Sequence, residues 1–368
     1  LVFDEVHKVK RVNGEYAENA LRLSHEASYA VAMTGTPIPN SYTDIYNLLH
    51  ILFPHEYDEF FDFTVPMLRN PGTADVASIN DKLQPFVSRT TKDQLGVPKA
   101  NSDLICVADA KPEENQLLRI LQMKYRKNKL ALLVRILQME SNPKLLLQSL
   151  DLADFAYLLD DSVETSEIDY ADYSDEVKAL IDACGRTTKF ERCVELAASL
   201  AQQNKPVIIW CMFVGSIQNL SEALEEMGIR TRCIYGEVPL EERQQILADF
   251  RCGNIQVLLT NPHTLAESVS LHSVCHDAIY FEYSYNLVHL LQSKDRIHRL
   301  GLPDDQYTQY YYHQLSYQTE DGSWSLGEAV YNRLKEKEKI MLDAIDNHVL
   351  EAMPTSDEDL EIIFSKFH

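Results

Sequence analysis

The sequence predicts an α/β protein: two lobes built on parallel sheets, with a mostly helical stretch between them. Three observations predict it. Short apolar runs alternate with amphipathic segments of helical length in residues 1–60 and again from about residue 187, the rhythm of a parallel sheet covered on both faces. The run "PVIIWCMF" in the later region is apolar throughout, as strands buried on two sides are. Between the two regions, segments such as "EENQLLRILQMKYRKNKLALLVRILQM" carry helical spacing instead.

The elements follow in order. "LVF" reads as a strand, "YAENALRLS" as a helix and "YAVAM" as a second strand. The turn "TGTPIPN" comes next, punctuated by a glycine and two prolines. Ile45, Leu48, Leu49 and Leu52 then fall on one helical face. Within the helical stretch, "SDLICVAD" is the one predicted strand. After "PVIIWCMF", the helix "SIQNLSEALEEMG" ends on Gly228 as a C-cap. Strand "TRCIY", helix "LEERQQILADFRCG", strand "IQVLLT", strand "DAIYF", helix "LVHLLQSKDRIHR" and strand "YTQYYYH" complete the second lobe. A long helix, "SLGEAVYNRLKEKEKIMLDAIDNH", follows. The expected divisions are 1–60, 61–186, 187–318 and 319–368, the last a helical brace with an acidic tail.

Composition narrows the partners. Hydrophobic residues make up 45% of the chain and charged residues 24%, ordinary for a globular protein. No run of apolar residues is long enough to span a membrane, and the start has no signal-peptide pattern. Seven cysteines without a CxxC pair argue against a disulfide framework and for a reducing, intracellular setting, cytoplasmic or nuclear. His272, Cys275 and His276 cluster, but their spacing matches no closed zinc pattern. The net charge of -22 disfavours indiscriminate phosphate binding. Much of it sits in "DFAYLLDDSVETSEIDYADYSDE" and "TSDEDLE", which read as solvated faces or flexible links.

Ligands of parallel sheets collect at strand carboxyl ends, and chemically distinctive residues stand there. Asp4 and Glu5 follow "LVF"; Thr34, Gly35 and Thr36 follow "YAVAM"; Thr260 ends "IQVLLT". Adjacent carboxylates at a strand tip suit a divalent cation, or simply cap the strand. Arg296 and Arg299 stand three apart, on one face of the expected helix. Two guanidiniums so placed can grip a phosphate, or form surface salt bridges.

The order of these segments discriminates. "DEVHKVK", "TGTPIPN", "VIIWCMF", "CIYGEVPLEERQQILADF" and "QSKDRIHRLG" succeed one another as in the Swi/Snf-type helicase-like ATPases of superfamily two, which the chain resembles over nearly its whole length. "QPFVSRTTKDQLGVPK" resembles the segment leaving the first lobe of that family, and "TTKFERCVEL" the Lys-containing entry to the second. The resemblance implies RecA-like lobes, a partial first and a complete second, with ATP between them and double-stranded DNA running across both.

By the same resemblance Asp4 would hold Mg2+ through water and Glu5 would activate the attacking water. Arg296 and Arg299 would serve as arginine fingers, with Gln292 touching the nucleotide or coupled to it. Thr34, Gly35, Thr36 and Thr260 would couple nucleotide state to the DNA groove. "LLTNPHTLAESVSLH" departs from the family: Glu267, Ser268 and Ser270 stand in place of glycines. Ser268 and Ser270 can still donate to phosphate; Glu267 would repel it. No GxxxxGK[ST] loop occurs in the sequence, and that loop holds the β and γ phosphates. The expectation is therefore the C-terminal portion of an ATP-dependent DNA translocase or helicase, inactive without the phosphate loop. The alternative is a non-catalytic nucleic-acid-binding module that keeps the fold.

Overall fold

Val2–Phe3 (β1) pairs in parallel with Val31–Ala32 (β2), Val2 opposite Val31. They are the first elements of a computed structural model that describes residues 1–9, 14–34, 42–69, 71–86, 88, 90–149, 174–265, 269–319, 322–346 and 356–367. The chain divides into two compact units, one of Leu1–Arg89 with Leu334–Asp359 and one of Thr90–Arg333 with Leu360–His368.

In the first unit, helix α1 (Glu15–His25) and helix α2 (Asp44–Leu52) follow the two strands. Three short helices come next, α3 (Tyr57–Phe60), α4 (Val65–Arg69) and α5 (Thr73–Leu83). The face read from Ile45, Leu48, Leu49 and Leu52 divides: Ile45 and Leu49 are buried against Tyr42, Tyr57, Phe61 and Ile79, while Leu48 packs on a second cluster. Ala20, Val6 and Ile51 form a smaller cluster beneath β1 and β2. Among the described residues, β1 and β2 pair only with each other. Val2 and Val31 remain 61% and 52% exposed, which strands in the middle of a sheet would not be.

The second unit carries a seven-stranded sheet. Its strands are β3 (Leu104–Asp109), β4 (Val207–Trp210), β5 (Thr231–Ile234), β6 (Val257–Thr260), β7 (Asp277–Tyr280), β8 (Gln309–Thr319) and β9 (Gly322–Trp324). They lie in the order β3-β8-β7-β4-β6-β5, parallel throughout, with β9 antiparallel to β8. Its helices are α6 (Pro112–Tyr125), α7 (Lys129–Ser141), α8 (Asp175–Cys184), α9 (Thr188–Gln202), α10 (Val214–Glu226), α11 (Leu240–Arg251), α12 (Pro262–Leu265) and α13 (Leu287–Lys294); α14 (Leu326–Asp346) and α15 (Ser356–Ile363) follow in sequence, each with residues in both units.

The apolar runs are central strands, and their burial explains their composition. Val207, Ile209, Val257, Leu259 and Ile279 pack with Cys193, Ala197, Ile217, Leu220 and Leu224 from α9 and α10. Each Val, Leu or Ile among them contributes about 1.5–3 kcal/mol on burial. Helix α10 closes where the glycine sits: Gly228 has φ 76°, and Ile229 N–H donates to Leu224 O at 3.0 Å.

Four expectations are corrected. "SDLICVAD" is not a strand of an insertion: β3 pairs with β8 over Leu104–Asp109 and forms an edge of the second sheet. The helices around it are tied to the same unit, because Lys189 on α9 and Glu140 on α7 form a buried ion pair of 2.8 Å. The "QSKDRIHR" helix stops at Lys294, so Arg296 and Arg299 lie in the turns after it rather than on one helical face. The tail "TSDEDLE" is no loose solvated run. It enters α15, where Asp359 is 1% exposed and accepts from Lys337 Nζ at 3.0 Å. The other acidic run lies largely outside the described residues; its end opens α8, where Ser174 accepts from Val177 N–H.

Candidate functional site

In the first unit the chain leaves β1 at Asp4 and turns sharply. Glu5 takes φ 50°, a left-handed conformation that costs a non-glycine residue about 1–3 kcal/mol. Two bonds hold the turn: Asp4 Oδ1 accepts from Glu5 N–H at 2.9 Å, and Val6 N–H donates to Met33 O at 3.1 Å. Asp4 is thereby left exposed and Glu5 half-buried at the carboxyl end of β1. Thr34 lies just past the carboxyl end of the neighbouring β2, where Met33 N–H donates to Phe3 O at 2.8 Å. The strand pairing thus brings the predicted Asp4, Glu5 and Thr34 to one edge. Gly35 and Thr36 lie outside the described residues.

An exposed carboxylate beside a second one is the hard oxygen donor set that Mg2+ accepts, with water completing its shell. Among the described residues no group of three His, Cys, Asp or Glu is placed to hold a metal directly, so a cation at Asp4 would keep most of its waters. Cys275 is buried, and its thiol donates to Pro206 O and Asp277 O.

The second unit sorts its predicted residues into two places. Thr260 is fully buried at the carboxyl end of β6, and its O–H donates to Asn261 O at 3.4 Å. The next residue, Asn261, lines a small cavity of about 30 Å³ together with Met212, Tyr280, Glu282, Ser284 and Asn286, room for about two waters. Glu282, 1% exposed, caps the start of α10 by accepting from Met212 N–H, Phe213 N–H and the Ser216 hydroxyl. Burial pushes its carboxyl up, opposed by those bonds. Sequence reasoning missed this residue; its signal was an acid directly after the buried strand "DAIYF".

Ser270, Gln292, Arg296 and Arg299 gather elsewhere, on segments leading into the strands' amino ends. Arg296 is only 7% exposed. Its Nε donates to Gln292 O at 3.0 Å and its Nη1 to Val269 O at 3.1 Å, while its own carbonyl accepts from Leu271 N–H at 2.9 Å. It thus stitches 269–271 to the turn after α13. Arg299, by contrast, is exposed. It lies close enough to His272 to hold that imidazole below its usual range, second to burial. Ser270 O–H pairs with His272 Nδ1 at 2.6 Å, and Arg251 Nη2 donates to Ser270 O at 3.2 Å. Ser268 and Glu267 lie outside the described residues.

The turn bearing Arg299 has further supports that the sequence did not disclose. Lys294 Nζ reaches Asp103 Oδ2 at 3.3 Å, and Tyr310 O–H donates to Lys294 O at 3.1 Å. Lys92, from "TTKDQLGVPK", contacts Asp295 and His298.

Residues 1–146 match the SNF2-related domain, and residues 188–301 match the helicase conserved C-terminal domain. Over 315 residues the chain is 24% identical to Chromodomain-helicase-DNA-binding protein 1-like of Danio rerio, covering 82% of this chain and 28% of that protein. Over 335 residues it is 23% identical to ATP-dependent DNA helicase DDM1 of Arabidopsis thaliana, covering 82% of this chain and 40% of that one. The chain therefore spans between about a quarter and two fifths of these relatives' length. Among solved structures, the C-terminal part of the Fun30 ATPase domain aligns with a TM-score of 0.46 at 15% identity, covering 74% of this chain and all of that one. The chain belongs to the Swi/Snf-type, helicase-like proteins of superfamily two.

Proposed function

We propose that this chain is the motor portion of an ATP-dependent DNA translocase, coupling ATP hydrolysis to movement along double-stranded DNA. The family supports the ATP-dependent, helicase-like character. The observation that carries the proposal is the edge shared by Asp4, Glu5 and Thr34, where a strained turn presents two carboxylates beside a hydroxyl.

In this reading Asp4 would hold Mg2+ through water, and the bound ion would supply positive charge toward the ATP phosphates. Glu5 orients the attacking water and takes its proton, a general-base role worth about 10²–10⁴ in rate. Arg299, exposed on its turn, is the arginine finger, and such groups supply about 10³–10⁵. Arg296, spent on backbone carbonyls, holds the turn that carries the finger. Gln292 supports the same turn through its carbonyl. Thr34, Gly35 and Thr36 transmit nucleotide state from the first lobe, while Thr260, Ser268 and Ser270 do so in the second. A phosphate-binding loop is required besides the residues here. Seven free thiols fit a reducing compartment.

The test is Glu5→Gln in the full-length protein, measured as DNA-stimulated phosphate release. Turnover is expected to fall at least about 100-fold with ATP binding retained. Unchanged turnover would overturn the proposal. Displacement of a third strand from a triplex, without separation of duplex strands, distinguishes translocation from unwinding.

A further inference from the structure

The last firm anchor before Arg299 comes from Lys92, 206 residues ahead of His298. Lys92 Nζ lies 2.5 Å from Asp295 Oδ1, 2.7 Å from His298 O and 3.3 Å from His298 Nδ1. An ammonium has three N–H donors, and three acceptors from the arginine turn meet them. The other ring nitrogen, His298 Nε2, lies 2.7 Å from Pro98 O. A carbonyl can only accept, so Nε2 carries the proton and Nδ1 is left as the acceptor that Lys92 meets. Burial and the Lys92 charge both hold the imidazole below its ordinary range, which agrees with a neutral ring.

His298 is thereby fixed at four points: its N–H donates to Lys294 O at 3.1 Å, its carbonyl and Nδ1 accept from Lys92, and its Nε2–H donates to Pro98 O. Beyond it the backbone carries little until Leu302 N–H donates to Arg299 O at 3.3 Å. Gly301 follows at φ 95°, against His272. Arg299 thus departs from the turn one residue after its strongest fixed point. Resting on the proposed ATPase function, we propose that Lys92 is a positioning residue for that reaction, setting the turn from which Arg299 reaches the transferring phosphoryl group. The Lys92–Asp295 pair itself is half-exposed, 40% and 51%, and such pairs contribute little. The bonds to His298 carry the role.

The experiment uses the full-length protein and DNA-stimulated ATP hydrolysis, with Lys92→Met, His298→Leu and the double variant. Lys92→Met keeps the side-chain stem and removes every donor. The expected result is a kcat lower by about tenfold, equivalent to about 1.4 kcal/mol of barrier, with KM for ATP, DNA affinity and Tm unchanged. His298→Leu should lose a similar factor and the double variant no more, as for residues acting as one unit. Lys99→Met, in the same segment but 82% exposed, should match wild type. Glu5→Gln and Arg299→Ala separate the two readings. If they leave hydrolysis intact, the ATPase function itself fails. If they abolish it while Lys92→Met turns over within twofold of wild type, the positioning role fails. A Lys92→Met variant that loses Tm, DNA affinity or ATP affinity in step with kcat overturns it equally, because the residue would then be structural only.

Discussion

Two arginines three residues apart should separate on substitution, one in stability and the other in chemistry. Arg296 is 7% exposed, and its guanidinium donates to Gln292 O and Val269 O. Arg296→Met removes both charge-assisted bonds and leaves Val269 O, at least, without that donor. Hydrogen bonds from charged groups contribute about 1.5–3 kcal/mol each, less what a methionine regains by packing, so a net loss of about 2–4 kcal/mol is expected. For a unit of this size each kcal/mol lowers Tm by about 2–4 °C, so the transition should fall by about 5–15 °C. Arg299 is exposed, and Arg299→Ala should shift stability by no more than about 0.5 kcal/mol. Turnover should move the opposite way: about 1000-fold lower for Arg299→Ala, and lost in Arg296→Met only as far as the turn loosens. Scanning calorimetry with phosphate release on the full-length protein reads both. An Arg296→Met variant that melts with wild type, or an Arg299→Ala variant that keeps its turnover, refutes the division of labour.

Two further outcomes follow. His313 on β8 is 1% exposed, both its ring nitrogens lack a hydrogen-bond partner among the described residues, and burial lowers its pKa to about 3. A folded-state pKa below the unfolded value gives stability that is full above about pH 6.5 and lost as pH falls toward 3. The acid-unfolding midpoint should accordingly drop in His313→Phe, followed by circular dichroism; an unmoved midpoint would show that the imidazole is not what acid attacks. Trp324 is 5% exposed, with ring centroids of Phe367 and Phe364 at 4.1 and 6.0 Å. Removing residues 356–368 should red-shift its fluorescence while fully buried Trp210 stays blue, and emission identical to the intact chain would refute the packing.

The readable parts of the fold were those whose physics is local. "VIIW", "VLLT" and "DAIY" read as short strands between helical segments, and every residue in them is buried. Gly228 marked the end of α10 because a positive φ favours glycine. The partnership of β3 with β8 was not legible, since it joins segments some 200 residues apart and period-2 patterning says nothing about which strand lies alongside. The hairpin partner β9 did leave a sign, the "DG" dipeptide between β8 and Trp324. At the site, residue types betrayed Asp4, Glu5 and the arginines, but not their burial. Nothing in "DRIHR" tells that Arg296 turns inward and Arg299 outward. Lys92 was equally opaque, one lysine in a segment of ordinary polarity, given meaning only by three acceptors contributed from elsewhere. The acidic tail misled because charge density was read as solvation, whereas Asp359 trades water for Lys337.

The flank that β3 gives the larger sheet has a practical consequence. Excising everything ahead of residue 187 would strip six rungs from one side of β8 and unmask a row of backbone donors and acceptors beside Tyr311, Tyr312 and Leu315. Such a trimmed piece would recruit a foreign strand, most readily from another copy of itself. Any dissection of this chain therefore has to carry the peptide from about residue 90 along with the larger sheet.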